Sequence, residues 1–140
     1  GKTDIVMMLN GALAGLVAIT AEPLTPGPIT AMFIGSIGAI IMYFGTKMLE
    51  SYGLDDVVGA IPVHMFAGIF GTLVVPLTNS DTSFGTQFIG TASVCIFSFG
   101  LSWITFTLLK STIGLRISKA AEKLGTDKAE VGVTAYSIRD

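Results

Sequence analysis

His64 is the only histidine in a chain of 140 residues, and it lies inside the apolar run from Val57 to Leu77. An imidazole changes charge near neutral pH, and in apolar surroundings it is costly unless it is hydrogen-bonded or lies on a route for protons or ions. Two readings of the ring stand open on composition alone. One is a structural histidine bonded to a neighbouring helix; the other is a pathway residue that accepts, donates or relays a proton. Pro62 stands two residues earlier. A proline within a helix removes one backbone hydrogen bond and frees a carbonyl, which an apolar medium tolerates only where protein or a water-filled cavity satisfies it again. The pair predicts a bent helix presenting an imidazole inward.

Other chemistry is sparse. Cys95 is the single cysteine, so it has no intrachain partner, and it reads as a small apolar core residue. No His and Cys grouping has metal-ligand spacing, so no metal and no cofactor are expected. No Gly-rich phosphate loop and no nucleophile constellation occurs, and enzyme chemistry has nothing to stand on. The basic residues of the tail alternate with Glu122, Asp127 and Glu130, which argues against nucleic acid as a partner.

The elements that must position His64 are apolar and long. Hydrophobic residues make up 51% of the chain and charged residues 13%, with 17 glycines and a mean hydropathy of +0.73. That mixture suits helices embedded in lipid and packed closely through small residues. Four stretches predict transmembrane helices: 5–20, 29–46, 57–77 and 84–109. About 20 residues are needed to cross the hydrocarbon core, so the last two suffice, the second is borderline and the first is short. The chain opens on Gly1 and shows no signal-peptide pattern, and its short first stretch is expected to belong to something longer.

Charge gives the expected topology. Lys2, Lys47, Lys110, Arg116, Lys119, Lys123, Lys128 and Arg139 are all the basic residues, and each lies where four alternating spans with both ends cytoplasmic would place it. The two opposite connections, 21–28 and 78–83, carry Glu22 and Asp81 but no lysine or arginine. Both are rich in turn-forming residues, so neighbouring helices are expected to be antiparallel. Gly11 with Gly15, Ala14 with Ala18, and Gly68 with Gly71 recur at spacings that allow close backbone approach.

Several short motifs occur in order: NGALAGLVAIT from Asn10 to Thr20, GLDD from Gly53 to Asp56, PVHMFAGIFGTL from Pro62 to Leu73, TIGLRIS from Thr112 to Ser118, LGTD from Leu124 to Asp127, and the pair Ala135–Tyr136. Together they resemble the ammonium transporter family, the Amt branch of Amt/Rh proteins, from Gly1 to about Tyr136. The resemblance implies an all-α integral membrane fold of eleven helices, built mainly from two inverted five-helix repeats and assembled as a trimer with one pore per subunit. This chain would supply the last four helices within 1–111 and a cytoplasmic tail over 112–140, in a plasma or inner membrane.

By that resemblance His64 falls on the second of two paired pore histidines, the first belonging to an earlier helix. The implied function is transport of ammonium or ammonia through an apolar pore lined by His64, with Asn10, Thr20, Ala60 and Ile61 as further pathway positions. Gly114, Arg116, Asp127 and Tyr136 are the implied regulatory positions of the tail, which in the family meets neighbouring subunits and a PII-class regulatory protein. Two alternatives stand beside conduction: an ammonium sensor coupled through the tail to a signalling domain, and a non-transporting membrane scaffold. The chain also departs from the family. Gly59 stands where aspartate is common, Pro62 and Met65 where glycine is common, and Val131, Gly132 and Val133 replace the usual His-Gly-Glu.

Overall fold

The computed structural model describes residues 2–135. Within these residues every regular element is helical, and there is no strand. By contact density the chain divides after Ile96 into two compact units. The first holds α1, Ile5–Ile19, α2, Pro28–Ser51, and α3, Ile61–Leu77. α4, Phe84–Thr112, starts in that unit and ends in the second, which also holds α5, Lys119–Leu124, and a π-helical turn, Asp127–Val131.

Local chemistry sets the helix starts. Asp4 caps α1 by accepting the Met7 N–H at 3.0 Å, and Pro28 opens α2 where a missing N–H costs nothing. Ser83 receives the Thr86 N–H at 3.2 Å at the start of α4. Ser118 receives the Ala121 N–H at 3.1 Å at the start of α5. Gly53, at φ +68°, lets the chain leave α2, because that left-handed conformation strains residues with a side chain.

The largest departures from the hydropathy reading are at the end of α2 and the start of α3, and α4 runs on to Thr112 rather than ending at 109. α2 extends past Thr46 to Ser51, and its polar last turns, where Lys47 and Glu50 pair at 2.9 Å on an exposed face, are helical without being apolar. α3 starts at Ile61 rather than Val57, because Gly59 turns the chain at φ +73°. α2 and α4 are long and apolar enough to cross a membrane, whereas α1 and α3 are shorter apolar helices. Pro62 consequently lies in the first turn of α3, not in mid-helix. α3 opens as a π-helix over Ile61–Phe66, becomes α-helical over Ala67–Val74, and closes in a 3₁₀ turn, Val75–Leu77.

Small residues let the first three helices meet. Gly15 lies against the Gly35 backbone, and a Cβ on Gly38 would stand 2.6 Å from the Ala18 Cβ. A Cβ on Gly71 would stand 2.8 Å from the Ala18 Cα, and one on Gly45 would overlap the Phe66 ring. Gly11 faces Met42 while Gly15 faces Gly35, and Gly45 faces Pro62 and Phe66 while Ile34 lies by the cavity that Gly71 and Val75 line, so α2 runs antiparallel to both α1 and α3. Ala14, Met42, Val63 and Ala67 form the buried cluster between them, with Met7 and Val17 packed against it. α4 buries none of its residues among those described. Cys95 on α4 is partly exposed instead of occupying a core.

Candidate functional site

α3 divides sharply into two faces around His64. Pro62, Val63 and Ala67 are buried, whereas Ala60, Ile61, His64 and Met65 are exposed. The ring therefore stands on the side of α3 turned away from the α1–α2–α3 core.

The approach to His64 is held by side chains on both flanks. Asp56 spreads its carboxylate over two backbone donors, Oδ1 accepting from Ala60 N at 2.9 Å and Oδ2 from Ile61 N at 2.8 Å. A carboxylate at a helix start satisfies N–H groups that have no intrahelical partner and complements the positive end of the helix. From α1, Asn10 Nδ2 donates to the Val58 carbonyl at 3.0 Å. Gly59 lies between these two contacts, and a Cβ there would stand 2.6 Å from Asn10 Nδ2. Glycine at 59 thus answers both a positive φ and a close neighbour. Beside this turn, Thr46, Leu49, Glu50, Leu54–Val57, Gly59 and Pro62 line a cavity of about 260 Å³.

Not all the sequence-derived positions gather here. Asn10 sits beside Val58 and Gly59, and Ala60 and Ile61 lead directly into His64. Thr20 lies at the opposite end of α1, just past Ala18, which packs on Gly71, and its hydroxyl donates to the Leu16 carbonyl at 2.6 Å. At that end a connection invisible in the sequence appears: Asn79 Nδ2 donates to Glu22 Oε2 at 2.9 Å. That bond, followed by the Leu24 and Thr25 N–H groups, holds the Glu22 carboxyl below its ordinary value.

The tail positions belong to the second compact unit. Gly114, at φ +81°, ends α4 and donates its N–H to the Leu109 carbonyl at 3.0 Å. Arg116 is exposed. Asp127 accepts the Ala135 N–H at 2.9 Å. That bond leads the causes that hold its carboxyl below the ordinary value, with the Lys128 N–H next. Tyr136 lies outside the described residues.

Residues 1–136 match the Ammonium Transporter Family. The chain belongs to the ammonium transporter family. It is 38% identical over 157 residues to "Ammonium transporter Amt2" of Archaeoglobus fulgidus, covering 97% of this chain and 33% of that protein. A protein of the same description from Methanocaldococcus jannaschii is 34% identical over 143 residues, covering 96% of this chain and 34% of the relative. "Ammonium transporter" of Corynebacterium glutamicum is 31% identical over 154 residues, covering 99% of this chain and 34% of the relative. The chain thus spans about a third of the length of these curated relatives. Membership of the ammonium transporter family and the two long apolar helices together support a membrane location.

The sequence alone did not single out Asp56 as a helix cap, Gly59 as a required glycine, or the Glu22–Asn79 bond. An aspartate a few residues ahead of a helix is a readable capping signal, but the apolar run starting at Val57 obscured where the helix begins. Glu22 and Asn79 are 57 residues apart, and no local pattern pairs them.

Proposed function

We propose that this chain forms part of a transmembrane pathway for ammonium or ammonia, with His64 on that pathway. The observation that carries this reading is the outward placement of His64 on α3 while its neighbours Pro62 and Val63 are buried. The relatives described as ammonium transporters support the substrate. Ala60 and Ile61 share the outward side of the segment, giving the histidine an apolar approach. In such surroundings a bare ammonium ion loses its hydration at large cost, whereas neutral ammonia loses far less. An imidazole can take the proton that is left behind, because its ordinary pKa lies close to neutrality. The opposing wall would come from the part of the relatives' length that this chain does not span.

In this reading α1 to α4 are the last four spans of an eleven-helix trimeric transporter, occupying 1–111, in a plasma or inner membrane. The alternating directions of α1, α2 and α3 support successive crossings, and the placement of lysine and arginine supports cytoplasmic ends. Residues 112–140 form a cytoplasmic tail in which Gly114, Arg116, Asp127 and Tyr136 meet neighbouring subunits or a PII-class regulator. Asn10 and Thr20 bracket the part of α1 that borders the pathway. Uptake of labelled methylammonium by proteoliposomes holding the full-length protein tests the substrate. Saturable uptake above that of empty vesicles is expected; ammonium binding without uptake would favour a sensor.

A further inference from the structure

We propose that Gly45 is a positioning residue for His64: the notch it leaves in α2 seats the π turn that carries the imidazole. The inference rests on the reading of His64 as a pathway residue. The first turn of α3 meets α2 through two pairs of residues, each pair four apart. Val63 and Ala67 share the buried cluster with Met42, and Pro62 and Phe66 lie over Gly45, one turn further along α2. Four residues overshoot a 3.6-residue turn by about 40°, so a regular α-helix would carry the second member of each pair round its surface. A π turn is wider, closing i→i+5 hydrogen bonds, and here the Ala67 N–H reaches the Pro62 carbonyl. The wider turn keeps both pairs on the α2 side and leaves His64 and Met65, which lie between them in sequence, exposed.

Gly45 admits this arrangement because it has no side chain. A Cβ there would stand 2.5 Å from Phe66 Cδ2, 2.9 Å from Phe66 Cε2 and 3.2 Å from the Pro62 Cβ, whereas ordinary contacts begin at 3.4 Å. A methyl group at 45 would therefore push the ring off by the better part of an ångström. Pro62, on the same notch, is fully buried, so the turn has no slack on that side. Close-packed surroundings pass such a displacement on rather than absorb it. His64 lies two residues from each of the two contacts, and a π turn levered away from α2 takes the imidazole with it.

The test uses the full-length protein in proteoliposomes and reads the ratio of ammonium to potassium current, which a mere loss of folded protein leaves unchanged. Five variants are compared: Gly45→Ala, Phe66→Leu, the double variant, Gly38→Ala and His64→Ala. Gly45→Ala is expected to lower the ratio about ten-fold, less than a misplacement of a full ångström can cost. Phe66→Leu removes the ring from the other side of the same contact and is expected to lower the ratio as well. With the ring gone the added methyl has little to displace, so the double variant is expected to stand within about two-fold of Phe66→Leu. Gly38→Ala overpacks α2 against α1 instead, and is expected to leave the ratio at its natural value. An unchanged ratio in Gly45→Ala or in Phe66→Leu would overturn the proposal, and either variant decides the matter if the other fails to accumulate. So would a double variant well below Phe66→Leu, or a Gly38→Ala protein whose ratio falls as far as that of Gly45→Ala. If His64→Ala itself leaves the ratio unchanged, the pathway reading fails and takes the positioning role with it. An effect of His64→Ala with none from Gly45→Ala removes the positioning role alone.

Discussion

Asp56 holds two amide hydrogens of the turn ahead of His64 with one carboxylate, and truncating it leaves both without a partner. Asp56→Ala is expected to destabilise the protein by about 1–2 kcal/mol, the usual range for a lost helix cap, with Asp56→Asn costing less because one acceptor oxygen remains. Thermal unfolding in detergent measures both. His64 and Pro62 stood out in the sequence, since a lone ionisable ring and a ring-locked backbone are conspicuous in an apolar run. What Pro62 does was misread: a freed carbonyl within a helix was expected, but the helix starts only at Ile61, so Pro62 occupies its first turn, where a missing N–H costs nothing. Gly59 could not be read as a required glycine, because hydropathy carries no information about φ.

At the scale of elements, helices in lipid gain little from burying apolar area against one another, so close packing carries their association. The spacing of the glycines announced this, but not which helix each one faces. Gly38 meets both Ala14 and Ala18 on α1, and a Cβ there would stand 2.6 Å from the Ala18 Cβ and 2.9 Å from the Ala14 carbonyl oxygen. Gly38→Ala is therefore expected to cost about 1–3 kcal/mol, as overpacking does. Gly11→Ala is the control: its Cβ would lie 3.7 Å from the Met42 Cε, an ordinary contact, and helix propensity favours alanine by up to ~1 kcal/mol. Unfolding of the two variants side by side checks the contrast; equal losses would mean that the α1–α2 crossing is not where the sequence tolerates least. The long apolar α2 and α4 were legible as runs, and their ends were not, because helix caps and polar last turns, such as the one holding Lys47 and Glu50, do not register in mean hydropathy.

At the scale of the whole molecule, Glu22 and Asn79 tie the connection between α1 and α2 to the one between α3 and α4. Because the bond holds the Glu22 carboxyl below its ordinary value of 4.5, its stabilisation is present above that value and is lost as pH falls through the lowered one. The gap in unfolding temperature between the natural protein and Asn79→Ala is thus expected to be open at neutral pH and to close in acid; a gap independent of pH would assign it to packing instead. Family membership was legible because ordered motifs run along nearly the whole chain, whereas this tie between loops was not. In the proposed function the pathway draws on helices outside this chain, which spans about a third of its relatives' length, so the central claim is tested in the full-length protein. The most direct measurement is the ammonium-dependent current of that protein in liposomes, with and without His64→Ala. A saturable current whose selectivity or size changes with the substitution is predicted; a current that His64→Ala leaves untouched in both would contradict the account.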